Sequence, residues 1–233
     1  MNSYKIIKYT SEHYQMWNNF VAQAKNATFL FHRDFMEYHS DRFEDYSLLV
    51  FDEKENLKAI FPANISENKL FSHHGLTYGG IVIDASLKLE KFIAIYAEIL
   101  HFLNENKIQI INFKLIPSIY CSQPSEEIKY ALFLSEAKLA RRDALVTIDL
   151  QSQFKIDSNR IEGVKRAEKL GLKIIKETDF TGFWNTVLIP NLEAKHEAKP
   201  VHNLAEIQTL QEKFSENIIQ YNVYQGDEIV AGT

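Results

Sequence analysis

Residues 71–83 read FSHHGLTYGGIVI. The stretch opens polar, is interrupted by glycine and closes apolar, the pattern of a strand with a break in its middle. Glycine inside a strand marks a bulge or a close approach to the backbone by a ligand. Gly75, Gly79 and Gly80 stand beside His73, His74 and Tyr78, three side chains able to do polar chemistry. Two strands precede this one: 46–52 (YSLLVFD) and 57–65 (LKAIFPANI), joined by the polar turn EKEN as a hairpin. Alternate residues Tyr46, Leu48 and Val50 are apolar, and so are Leu49 and Phe51, so both faces of the first strand read as buried.

Outward from this hairpin, residues 4–9 (YKIIKY) read as a short strand. A helix follows from Ser11, with Tyr14, Trp17, Val21 and Ala24 at helical spacing, then a second helical piece over 32–40. Downstream, Leu89, Phe92, Ile93, Tyr96, Leu100 and Leu103 form one helical stripe, with Asp84 or Ser86 as its cap. Residues 108–116 read as an apolar strand. Pro124, Ser125, Glu126 and Glu127 open a helix with Ile128, Ala131, Leu132 and Leu139 inward and Arg141–Arg142 at its end, and 144–150 (ALVTIDL) reads as a strand. The expected class is α/β with an α+β mixed sheet, antiparallel hairpins first and β-α-β-α-β after.

Residues 151–159 are polar and read as a linker, dividing the chain into 1–150 and 151–233. A basic helix to Leu170 comes next, capped by Gly171, then a strand KIIKE. Ile161, Val164, Ala167 and Leu170 are expected to be its buried stripe. Two helical pieces split by Pro190 and Pro200 lead to a closing hairpin, IIQYNVY-QGD-EIVAGT. The segments 41–51 (DRFEDYSLLVF) and 212–223 (EKFSENIIQYNV) share a layout, and each follows strand, helix and helix. That repeat predicts a tandem of two similar units, the second unfinished where the sequence stops inside its second strand at Thr233.

The 233 residues are 45% hydrophobic, enough for an ordinary core. Lys plus Arg is 26 and Asp plus Glu is 31, a net charge of −5, which argues against a general nucleic-acid coat. Cys121 is the single cysteine, so no internal disulfide forms; with no secretory h-region at the N-terminus, a cytoplasmic location is expected. The apolar run 92–103 contains Glu98 and His101 and is too short to span a bilayer. Signatures of hydrolases, NTPases, dinucleotide enzymes, metalloproteases and CxxC redox proteins are absent.

The segments NATFLFHRDFMEYHSDRF, SHHGLTYGGIV, RIEGVKRAEKLGL, HEAKPVHNLAEI and EIVAGT together resemble the tandem GNAT, FemAB-like transferases, in particular the GNAT-type proteins of bacterial surface-polysaccharide loci. The resemblance covers nearly the whole chain and implies tandem GNAT-like units, 1–150 on the acceptor side and 151–233 an incomplete second unit. It implies acyl transfer to an amine of a cell-envelope or polysaccharide precursor, from an acyl-CoA or aminoacyl-tRNA donor and without a metal. The strand matching EIVAGT would offer backbone N–H groups to the donor carbonyl. The expected partners are a small-molecule or lipid-linked amine acceptor, with tRNA as a further candidate and no stable membrane insertion. The Arg/Gln-x-x-Gly-x-Gly/Ala donor loop of the family is missing from this sequence. A GNAT-like binding or assembly module without catalysis is therefore the second reading.

The catalytic base is not assigned by sequence. His73 and His74, as strand neighbours, point to opposite faces and cannot share a metal without a bulge. One of them with Tyr78 and Gly79 would form an acceptor-side wall, and a strand-edge packing cluster accounts for these residues equally well. Lys165 and Arg166 lie on the basic helix, where 160–176 holds six basic residues against Glu162 and Glu168. They are either a solvated face or a clamp for a diphosphate or tRNA phosphate. His196, Lys199 and His202 surround Pro200 at a spacing unsuited to a helical metal site, and the resemblance places them at a pocket rim. Trp17 and Trp184 read as core, and Cys121 as an unactivated thiol.

Overall fold

A computed structural model describes residues 4–233. The chain divides into two compact units, one ending at Leu139 and one beginning at Ala140. The fold is mixed α/β, with antiparallel and mixed sheets.

The first unit begins with β1 (Lys5–Lys8), α1 (Tyr14–Gln23) and α2 (Arg33–Glu37). The hairpin follows, and it is divided between two sheets. Its first arm is β2 (Glu44–Asp45) and β3 (Leu48–Phe51); its second is β4 (Leu57–Phe61) and β5 (Asn64–Ser66). The break falls at Pro62, which has no N–H to donate. Ser47 spans it: its hydroxyl donates to Ala63 O (3.3 Å) and accepts from Ala63 N–H (3.2 Å). Leu48, Leu49 and Val50 are fully buried, as the double-faced apolar pattern requires. β4 carries a one-residue bulge, since Val50 faces Ala59 while Phe51 faces Leu57.

A tight turn with Glu67 in the left-handed region leads to β6 (Lys69–Phe71). Residues 72–81 then form a loop, and the chain reappears as β7 (Val82–Ile83) in the other sheet. The single glycine-broken strand expected over 69–83 is therefore two short strands in different sheets, because Gly75, Gly79 and Gly80 let the backbone leave the ladder. α3 (Leu89–Glu105) buries Phe92, Ile95, Tyr96, Ile99 and Leu103, a stripe turned slightly from the expected one. Its N-cap is Lys88; Asp84 instead closes the preceding turn by accepting from Ser86 N–H (2.8 Å). β8 (Ile110–Asn112) and α4 (Glu127–Leu134) complete the unit. The sheets run β1-β3-β4-β7, all antiparallel, and β2-β5-β6-β8, in which β6 and β8 are parallel. One core joins both to α3 and α4, and each fully buried Leu, Ile or Phe in it contributes about 1.5–3 kcal/mol.

Two expectations fail beyond α4. The helix stops at Leu134, so Arg141–Arg142 do not end it, and Leu139 is 69% exposed. Residues 144–150 form no strand.

In the second unit, α5 (Ser158–Lys169) is capped by Asp157, whose carboxylate accepts from Asn159 N–H (2.8 Å). It ends at Gly171 (φ +72°), with Leu172 N–H returning to Ala167 O. Its apolar stripe is not buried: Ile161, Val164 and Leu170 are all exposed, because no element of this unit covers them. β9 (Lys173–Glu177) precedes α6 (Thr181–Phe183), a π turn (Trp184–Leu188) and α7 (Ile189–His196), which run on as one helix. Pro190 does not split it, since the π turn just before absorbs the missing N–H. α8 (Leu204–Lys213) has a capping box of Asn203 and Glu206. The closing hairpin is β10 (Gln220–Gln225) and β11 (Glu228–Gly232), in the antiparallel order β11-β10-β9. β11, like β4, has a one-residue bulge: Val223 faces Ala231 and Tyr224 faces Ile229.

Candidate functional site

The 72–81 loop of the first unit is closed at its base by β8. Ser72 N–H donates to Asn112 O (2.9 Å), and Lys114 N–H donates to Ser72 Oγ (2.7 Å). Gly79 returns the chain, donating its N–H to Lys114 O and bridging Leu115 in parallel. A Cβ on Gly79 would overlap the Ser72 carbonyl. The space that glycine opens at this position is thus filled by the protein's own backbone rather than left for a ligand.

Within the loop the two histidines have opposite fates, set by a turn rather than by strand alternation. His73 is left-handed (φ +64°) and 3% exposed. Its Nδ1 accepts from Gly75 N–H (3.2 Å), and its ring stacks on His39 with centroids 5.5 Å apart, beside Phe43. A Cβ on Gly75 would overlap the His39 ring, so this glycine allows the close approach. Burial holds the His73 pKa down at about 3, aided by repulsion from His39 and Arg33. His73 is a neutral packing group at physiological pH.

His74 is exposed. Its N–H donates to Asn64 Oδ1 (2.7 Å), and its ring stacks on Phe71 at 3.6 Å. Desolvation and the Lys114 ammonium lower its pKa, which keeps the imidazole neutral and able to accept a proton. Lys114 Nζ donates to Leu76 O (2.7 Å) and ties the loop down. The chemical face of this loop is therefore His74 with Lys114, and sequence reading missed the lysine because it lies 40 residues downstream, just past the end of β8.

Tyr78 occupies a different neighbourhood. It is buried, its hydroxyl lies 2.9 Å from Thr28 Oγ1, and its ring packs on Phe31 and Tyr120. Burial raises its pKa. Beneath the loop, Arg33 is fully enclosed. It donates to Glu37 (2.8 Å), to Asp45 and to Ser47 (3.3 Å), with Tyr9 stacked on its guanidinium at 3.6 Å. This knot ties α1, α2 and β2 under the histidines.

In the second unit, Lys165 and Arg166 are exposed on α5. His196, the last residue of α7, and Lys199 are exposed, and His202 is half-buried, its carbonyl accepting from Trp184 Nε1 (3.2 Å). More notable is a polar network that sequence reading overlooked. Gln220, Asn222 and Tyr224 alternate along one face of β10, and Asn222 is 0% exposed. Asn222 accepts from Gln220 Nε2 (2.7 Å) and donates to Glu177 of β9; Tyr224 OH donates to the same carboxylate (2.8 Å). That bond raises the Tyr224 pKa. Buried polar residues at core-facing strand positions destabilise a sheet unless fully bonded, and here they are bonded to one another.

The network adjoins β11. Tyr221 and Thr233 exchange both backbone hydrogen bonds at 2.9 Å. Alternation along an antiparallel ladder then points the Gly232 N–H away from β10, to the outer edge of the sheet. Phe183 lies against Gly232 so closely that a Cβ would come within 2.6 Å of the ring. The edge strand offers an outward backbone donor at Gly232, and the Asn222 Oδ1 lies against the same glycine.

Among the described residues no group of three or more His, Cys, Asp or Glu is placed to hold a metal ion, and no helix is long and apolar enough to cross a membrane. No family model and no curated protein matches the chain. Among solved structures it is similar to one described as a unique GCN5-related glucosamine N-acetyltransferase region in a fungal multi-domain GH3 beta-N-acetylglucosaminidase, at 12% identity and a TM-score of 0.41. The similarity covers 100% of this chain and 27% of that one, so the chain spans about a quarter of that protein's length.

Proposed function

We propose that the chain is an N-acyltransferase of the tandem GNAT, FemAB-like kind, moving an acetyl or aminoacyl group to an amine of a cell-envelope or surface-polysaccharide precursor on the cytoplasmic side. The observation that supports this most is the repeated layout of the two units. In the first, β1 pairs with β3 and β3 with a bulged β4, after two helices. In the second, β9 pairs with β10 and β10 with a bulged β11, again after two helical stretches. Shared pairing, shared order and a bulge in the second arm of each hairpin are what a tandem of like units predicts.

In this reading the donor is an acyl-CoA or aminoacyl-tRNA. Its carbonyl lies at β11, where the Gly232 N–H would stabilise the oxyanion. The acceptor nitrogen attacks that carbonyl, the C–N bond forms and the C–S or C–O bond to the donor breaks. A neutral base takes the amine proton, and the leaving thiolate or alkoxide is protonated. Each unit taken by itself, His74 with Lys114 is assigned to ligand contact in the first, and in the second Lys165 and Arg166 are assigned to phosphate and His196, Lys199 and His202 to a pocket rim. Isothermal titration with acyl-CoA donors and with aminoacyl-tRNA tests the reading; binding to none of them sinks it. Acceptor binding without any donor binding would leave the non-catalytic module in its place.

A further inference from the structure

In the second unit α5 and β9 follow one another directly, joined by Leu170, Gly171 and Leu172, and together they present cations and apolar side chains to solvent. Arg160, Lys165, Arg166 and Lys169 of α5 and Lys173 and Lys176 of β9 are all exposed, and among the described residues none of the six sits in an ion pair. Glu162 and Glu168 offset two of them, which leaves residues 160–176 at +4 in a chain whose net charge is −5. Among these cations Val164 is 59% exposed, Leu170 64% and Ile174 73%, and Ile161 is exposed as well. Lys165 follows Ile161 by four residues and Lys169 follows Lys165 by four, so the charges flank apolar side chains on the helix surface. A surface that is basic and aliphatic at once suits the boundary between lipid headgroups and acyl chains.

We propose that α5 and β9 dock on the surface of an anionic lipid bilayer, with the lysine and arginine heads on lipid phosphates and the aliphatic side chains in the acyl boundary. Long cationic side chains keep their charge in the headgroup layer while the apolar groups between them go deeper, so one occupant satisfies both kinds of side chain. The other occupants satisfy only one. A second copy would bring the same +4 surface against itself. A cover from within the unit would have to bring acids to six cations, and its exposed apolar segment 144–150 holds one, Asp149. RNA would match the charge but not the isoleucines and the valine, because 158–176 has no aromatic residue on which a base could stack. The docking is peripheral, since no helix among the described residues is long and apolar enough to cross a membrane. The inference rests on the phosphate contact proposed above for Lys165 and Arg166 and names its source. It needs no acyl donor, so it can fail while acyl transfer stands, and the reverse.

Co-sedimentation of the whole chain with vesicles tests it, using phosphatidylcholine alone and phosphatidylcholine mixed with phosphatidylserine. The expected result is binding about tenfold or more tighter to the anionic vesicles, weakening as salt is added. Amide hydrogen exchange on the bound parent chain is expected to slow across 158–176, a readout that needs no variant. Lys165→Gln, Arg166→Gln and Lys169→Gln together keep good helix formers at exposed positions and should weaken the binding about tenfold or more. Ile161→Ser with Val164→Ser should weaken it independently. No binding to either vesicle, equal binding to both, slowing confined to residues outside 158–176, binding untouched by both sets of substitutions, or retention of a single-stranded RNA in place of the vesicles would each overturn the proposal.

Discussion

Replacing His73 with Asn should flatten the acid sensitivity of the first unit. His73 is buried with its pKa held at about 3, against 6.5 for the free side chain. Below pH 6.5 the unfolded chain takes up a proton that the folded chain refuses, so stability falls as pH falls. At pH 5, 1.5 units below the unfolded value, the loss is about 2 kcal/mol, and by pH 3 it reaches about 4 kcal/mol. Above pH 6.5 both states are neutral and the residue adds no pH dependence. Asparagine suits the position because it tolerates the left-handed backbone and can accept from Gly75 N–H. The variant should lose some stability at pH 8 through missing contacts with His39 and Phe43. Urea unfolding at pH 8 and pH 5 measures the effect. A Trp184→Phe background leaves Trp17, which is buried in the first unit with its Nε1 bonded to Phe31 O, as the reporter. The parent should lose about 2 kcal/mol more than His73→Asn between the two pH values. Equal losses would refute the claim that buried, neutral His73 is a major source of acid sensitivity.

Gly75→Ala should cost about 1–3 kcal/mol, since the new methyl overlaps the buried His39 ring and presses on Phe43; denaturant midpoints read it. Arg33→Leu removes the donor shared by Glu37, Asp45 and Ser47, and since both carboxylates reach solvent, thermal unfolding should report a loss of about 2 kcal/mol. Tyr78→Phe removes the contact with Thr28 and should cost about 1 kcal/mol while acceptor affinity stays unchanged, which places Tyr78 in the packing rather than in the chemistry. Glu177→Gln should cost about 1 kcal/mol, because one amide oxygen replaces the two carboxylate oxygens that accept from Asn222 and Tyr224; urea unfolding followed by Trp184 fluorescence checks it.

Local patterns carried much of the fold. The hairpin of β3 and β4 was legible because both its faces are apolar, and α5 because Gly171 closes it with a recognisable signal. What sequence missed depends on partners far away in the chain. The loop at 72–81 reads as strand until Pro62 and Ser47 are seen to divide the sheet one strand earlier. His73 and His74 look equivalent in sequence; only the left-handed turn at His73, permitted by Gly75 against His39, separates a buried ring from an exposed one. Glu177 and Asn222 stand 45 residues apart and match no motif, so only the pairing of β9 with β10 unites them. The stripe of α5 was read as buried because amphipathic helices usually cover a core, and here nothing in its own unit lies over it.

The central claim is acyl transfer to an amine, and direct product detection tests it. The purified chain is incubated with labelled acetyl-CoA, or with labelled aminoacyl-tRNA, and a panel of amino sugars and amine-bearing envelope precursors. Mass spectrometry then follows the acceptor. The account predicts an acceptor carrying one new amide-linked acyl group, absent when the donor is left out. An unmodified panel with every donor, from a chain that titration shows to bind no donor, would contradict it.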